Sequence, residues 1–129
     1  MTPAELRQRF ASFAVEVRKA TGPIARNADS REVVDQLRRS ANGAASNHRA
    51  AGRSRSHREF TSRIAEALTE ADEALFWLDH IDASGMLPGG VAALRSEAHE
   101  LVKILARSHG TAKAKEEGEQ RRRNRNAGR

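Results

Sequence analysis

Apolar residues recur along this chain at helical spacing, in four stretches separated by glycine, proline and serine breaks. Leu6, Phe10, Phe13 and Val17 follow one another at intervals of four, three and four, which places them on one stripe of a helix. Thr2, Pro3 and Glu5 announce its start: threonine can cap, proline suits the first helical position, and glutamate completes a capping box. Gly22 and Pro23 end it. Asp29 with Glu32 predicts a second capping box, opening a helix whose inner face is Val33, Leu37, Ala41, Ala44 and Ala51, with His48 in the same row and Asn47 at its edge. That stripe is narrow and made of small residues. Gly43 inside this helix costs about 1 kcal/mol relative to alanine, which points to a packing reason.

Ser56 with Glu59 predicts a third capping box, and the helix it opens can run to Ser84, about 40 Å, with Gly85 as the stop. Its stripe is Phe60, Ile64, Ala67, Leu68, Ala71, Leu75 and Leu78. Pro88 opens a fourth helix, and Val91, Leu94, Ala98, Leu101, Val102 and Leu105 form the last stripe before Gly110. Four amphipathic helices with short connections predict an all-α protein, an antiparallel up-down four-helix bundle over residues 1–110.

Composition agrees with this. Aromatics make up 4% of the chain, tyrosine is absent, and alanine and arginine dominate, as suits helices more than a half-buried sheet. The lack of cysteine excludes a disulfide framework, a thiol nucleophile and a zinc-thiolate site, and fits a reducing cytoplasm. No apolar run approaches the roughly 20 residues of a membrane span, and the N-terminus opens on polar residues. A cytoplasmic protein with no membrane partner is expected.

The net charge of +6 is uneven: residues 1–110 carry +2 and residues 111–129 carry +4. The tail has no large apolar residue and reads as a disordered basic extension that includes Arg121, Arg122, Arg123 and Arg125. Between Gln36 and Arg58 stand six arginines, Arg38, Arg39, Arg49, Arg53, Arg55 and Arg58, and no carboxylate. The third helix is their complement. It carries Glu66, Glu70, Asp72, Glu73, Asp79 and Asp82, with no lysine or arginine between Ile64 and Leu94. Its helical wheel also turns Phe76 and Trp77 about 100° or more away from the core stripe, as an interface would. An acid face meeting a neighbour's basic face is a heterologous contact, and such contacts close into rings.

Chemistry is hard to find. The histidines lack metal-motif spacing, and there is no inward Glu-x-x-His pair, phosphate loop or nucleophile elbow. Glu66, Glu70, Glu73 and His80 share a helix face opposite the core, as a solvated charge row does, and His48 reads as a core histidine bonded to a polar neighbour such as Asn47. No catalytic residue, metal site or cofactor is expected.

The segments Arg39-Ser40-Ala41, Asn47, Arg53-Ser54-Arg55-Ser56 with Phe60, and Glu70-Ala71-Asp72-Glu73 leading to Trp77-Leu78 carry a resemblance. Over residues 5–108 the chain resembles the small four-helix-bundle proteins encoded in intervening sequences of bacterial large-subunit ribosomal RNA genes. It departs from them at Gly43, Ala44, His48 and Ala50, where members carry serine, a β-branched apolar residue, a bulky apolar residue and, in several, an acid. The resemblance implies a homopentameric ring. It also implies a fold similar to the accessory variability protein of diversity-generating retroelements, which binds nucleic acid and partners a reverse transcriptase.

Two uses of the arginines follow. In the first, a non-enzymatic protein grips RNA or DNA backbone through Arg49, Arg53, Arg55 and Arg58 and the tail arginines, as an accessory to an enzyme such as a reverse transcriptase. Without exposed tyrosines or a stacking ladder, strong base preference is not expected. In the second, the protein is a homo-oligomeric scaffold, with Arg38, Arg39, Glu70, Glu73, Phe76 and Trp77 at the subunit interface.

Overall fold

The computed structural model describes residues 1–128 and is all-helical, with no strand among them. α1 spans Pro3–Thr21, α2 Arg31–Ala51, α3 His57–Ser84 and α4 Ala92–Ala127, and a single 3-10 turn at Gly22–Ile24 follows α1. Each helix packs against the next, α3 lies against both α2 and α4, and α1 meets α4 along a thinner seam. The core comprises Phe10, Phe13 and Val17 from α1, Leu37, Ala41 and Ala44 from α2, Ile64, Ala71 and Leu78 from α3, and Ala98, Leu101 and Leu105 from α4, with their neighbours on the same stripes. Apolar periodicity therefore located the inward faces. Burial of those faces is the main force holding the helices together.

The helix ends depart from the sequence reading in instructive ways. At α1 the capping box forms in full: the Glu5 N–H donates to Thr2 Oγ1 (3.1 Å) and the Thr2 N–H to Glu5 Oε2 (2.8 Å). At α2 the expected box of Asp29 with Glu32 does not form. The cap is Ser30, whose buried hydroxyl donates to the Ile24 carbonyl (2.6 Å), so the turn after α1 claims the side chain that would have capped α2. At α3 Ser56 Oγ accepts from the Glu59 N–H, while Glu59 Oε2 reaches one residue further back, to the Arg55 N–H (3.0 Å).

The connection from α3 to α4 is held by ionic contacts. Gly85 stops α3 in the left-handed conformation, φ 68°, and its N–H donates to the Ile81 and Asp82 carbonyls. Pro88 does not open α4. Gly89 and Gly90 follow it with φ of 86° and 72°, and the helix begins at Ala92. Asp82 accepts from the Val91 N–H (3.0 Å) and from Arg95 Nη1 (3.2 Å), and Asp79 accepts from Arg95 Nε (2.8 Å). Two of the seven acids on α3, Asp79 and Asp82, are thus neutralised within the chain. Arg63 lies 3.7 Å from a third, Glu66. Arg9 closes the α1–α4 seam by gripping both oxygens of Glu97, at 2.8 and 2.6 Å.

The largest correction concerns the tail. α4 continues through Gly110 to Ala127, and the segment expected to be disordered is helical. The residue order favours it: Glu117 precedes Arg121 and Glu119 precedes Arg123 by four residues, the cations gather at the C-terminal end of the dipole, and Gln120 Nε2 donates to Asn124 Oδ1 (3.0 Å). Ala112 is the last buried residue, and its carbonyl accepts from His57 Nε2 (2.9 Å) at the first turn of α3. Beyond it α4 projects about 22 Å past the end of the core that holds the α2–α3 turn.

His48 is not a satisfied core histidine. Its ring stacks on Phe10, with centroids 4.4 Å apart, and its buried Nδ1 has no partner; Asn47 does not reach it. Burial, with Arg7 adding to it, holds the imidazole pKa below its ordinary value. The unfolded chain therefore takes up a proton near pH 6.5 that the folded chain resists, and stability is lost as pH falls below that value. Replacement by Phe keeps the stack and removes the buried nitrogen. His48→Phe is expected to melt higher at about pH 5 than the parent, with a smaller gap between that pH and neutrality in circular-dichroism melts.

Candidate nucleic-acid interface

α1 and α2 enclose a groove of about 790 Å³ on the outer face of the fold. Five arginines border it, Arg7 and Arg18 from α1 and Arg38, Arg49 and Arg53 from α2 and the turn after it, and no carboxylate lines it. Its floor is small: Ala11 and Ala14 face Asn42 and Ala45. The reason lies in the two helices' outward stripes. On α1, Arg7, Ala11, Ala14 and Arg18 recur at intervals of four, three and four; on α2, Arg38, Asn42, Ala45 and Arg49 repeat the same intervals. Each stripe is arginine at both ends and small in the middle, so the groove is lined by small uncharged residues at its centre and is cationic at its extremities.

The arginines gather at two ends. At one, Arg38 is fixed in place: its Nε donates to Thr21 Oγ1 (3.0 Å) and its Nη2 to the Arg18 carbonyl (3.1 Å). Thr21 in turn donates to the Val17 carbonyl (2.7 Å). Arg38, assigned from sequence to a subunit interface, is thereby used inside the chain to satisfy the carbonyl end of α1, where the helix dipole also favours a cation. At the other end Arg7 reaches Gly52, where an added Cβ would lie 3.9 Å from its Nη1, beside Arg49 and Arg53. Arg7 and Arg18 are the residues that the sequence reading missed. Their stripe was legible in the spacing, but arginines on a mixed-charge helix carry no signal until a second helix brings others beside them.

The remaining arginines expected on this surface are spread around one end of the fold. Arg55 shares an adjoining hollow of about 420 Å³ with Arg49, Arg53 and Arg63, and Glu59 is the acid on its rim. Arg58 turns to the other side of the α3 N-terminus, among Glu59, Arg63 and Glu66. Arg121, Arg122 and Arg125 line one face of projecting α4 with Lys115, and Arg123 is exposed beside them. The groove and the projecting helix thus flank the same end, around the α2–α3 turn.

The residues expected at a subunit interface also separate. Arg39 is exposed and outside the groove, Glu73 is exposed, and neither has an ion partner within 4.0 Å among the described residues. Phe76 is 58% exposed, whereas Trp77 is partly buried, packs against the core and meets Phe76 edge-on at 4.9 Å. The helical wheel placed both outside; the indole is large enough to fold back over the core and leaves its Nε1 buried without a partner. Glu70 crosses to α2, where a Cβ at Gly43 would lie 2.9 Å from its Cδ, which is the packing reason for that glycine. Burial there, with Glu73 and Glu66 nearby, raises the Glu70 pKa above the usual carboxylate value.

No group of three or more histidines or acids among the described residues is placed to hold a metal ion, and no helix is long and apolar enough to cross a membrane. Compared with protein-family models, with curated proteins and with solved structures, the chain finds no match.

Proposed function

We propose that this protein binds nucleic acid through its phosphate backbone, without catalysis, using the α1–α2 groove as the principal surface and Arg55, Arg58 and the α4 arginines as its extension. The observation that carries the reading is a groove bordered by five arginines with no carboxylate. A surface of that kind concentrates positive potential and attracts a polyanion, and guanidinium groups match phosphate geometry. The groove offers no aromatic side chain to stack on a base, so recognition is by charge and shape. In this reading the helices run up and down in antiparallel order and the chain acts as an accessory to a nucleic-acid enzyme such as a reverse transcriptase, in keeping with the resemblance of its arginine and acid segments.

A second reading has its own support. Phe76 is exposed beside Glu73, and among the described residues Glu73 has no cation and Arg39 no acid within 4.0 Å. These residues suit a contact between copies of the chain in a ring-shaped homo-oligomer, of which a pentamer is the form the resemblance implies. The two readings are compatible, since the groove and this patch use different arginines.

Fluorescence anisotropy with a labelled duplex, titrated with salt, tests the first. Five phosphate contacts predict that log K falls with log salt with a slope of about −4.5. Binding that is absent or insensitive to salt removes the proposal.

A further inference from the structure

The groove is built twice from the same pattern, and the repeat constrains its ligand. The stripe Arg7, Ala11, Ala14, Arg18 on α1 faces the stripe Arg38, Asn42, Ala45, Arg49 on α2. The Arg38 bond to the Arg18 carbonyl brings the C-terminal arginine of one stripe to the N-terminal arginine of the other, and Arg7 lies at the opposite end with Arg49 and Gly52. The two stripes therefore run in opposite directions, and a half-turn about an axis through the alanine floor exchanges them. Arg7 maps to Arg38 and Arg18 to Arg49. Along either helix the two ends stand about 16 Å apart.

We infer that the groove holds a double-stranded nucleic acid, with Arg18 and Arg38 on the phosphates of one strand and Arg7 and Arg49 on those of the other. This rests on the nucleic-acid reading above and names the form of the ligand. The two strands of a duplex are related by the same kind of half-turn, whereas one strand has a direction and no such axis. The separation also fits: two backbones bordering a groove about 12 Å wide, with the phosphates on its rims, meet cationic ends about 16 Å apart. The floor between the two cationic ends, Ala11, Ala14, Asn42 and Ala45, is small and uncharged, so the charge that grips the backbones stands at the ends. A single strand would need to be ordered from a flexible chain to reach both ends, and the groove holds no aromatic side chain to reward its bases for lying there.

The test uses the full chain, a 20-base-pair DNA duplex and each of its separated strands, at one salt concentration. The duplex is expected to bind about ten-fold or more tightly than either strand, with the salt slope of the duplex the steeper. Arg7→Ala and Arg18→Ala, at opposite ends of the groove, are each expected to weaken duplex binding about five-fold, to within a factor of two of each other. Both side chains are exposed, and an unchanged circular-dichroism melt shows that the fold is intact. Single strands binding as tightly as the duplex overturn the inference, as does an effect confined to one end, and both leave backbone binding itself standing. If neither form binds in a salt-dependent way, the nucleic-acid reading fails instead.

Discussion

Replacing Arg7, Arg49 and Arg53 together by alanine is expected to weaken duplex binding on the order of 100-fold at low salt and to reduce the steepness of the salt slope by about 2.7. All three are exposed, border the same end of the α1–α2 groove and make no ion pair among the described residues, so their removal takes charge from the surface and leaves the core intact. Each phosphate contact that is lost also leaves one fewer counterion to be released, which is why slope and affinity change together. Arg38 is left in place because it holds the end of α1, and its loss would confuse a binding effect with a folding one. Light scattering on the same variant separates the two readings of the arginines. Lost binding with an unchanged mass supports the groove as the ligand site. A fall in mass with binding untouched supports the scaffold.

A second large effect is expected within the fold, at Leu78. This side chain is fully buried on α3, the helix that packs against both α2 and α4, so its truncation opens a cavity with little freedom to collapse. Leu78→Ala is expected to cost about 3 to 4 kcal/mol, a large part of the stability of a domain this size. Thermal melts would then fall by on the order of 10 to 15 °C. Phe76→Ser, two residues away, supplies the contrast. Phe76 is 58% exposed, and its loss is expected to change the stability of a single chain by no more than about 0.5 kcal/mol. If Phe76→Ser destabilises as much as Leu78→Ala, that aromatic is covered by another copy of the chain.

The extent of α4 shows where sequence patterning loses its grip. Its apolar stripe ends at Leu105, and Gly110 reads as a stop. The helix continues through residues whose order favours it without a core, acids four residues ahead of arginines and cations at the C-terminal end. Apolar periodicity does not register such a helix, since that periodicity marks burial and not helicity itself. The cap of α2 failed for a different reason. Ser30 and Asp29 are equally good caps in isolation, and only the turn after α1, where the Ser30 hydroxyl donates to the Ile24 carbonyl, assigns Ser30 its role.

By itself the sequence determined that this chain is all-helical, where its first three helices lie and which face of each helix turns inward, because the 3.6-residue period and the first cap are local properties written in adjacent residues. It also marked the arginines of the α2–α3 turn and the exposed Phe76. Which arginines stand together was decided by tertiary structure alone. Arg7 and Arg18 lie far along the chain from Arg49 and Arg38, and their meeting depends on how α1 packs on α2. The same packing tied Arg38 to the end of α1, drew Glu70 across Gly43 and folded Trp77 back over the core. Charge acts through space, and proximity between helices is set by the fit of their buried faces, which no stretch of sequence contains.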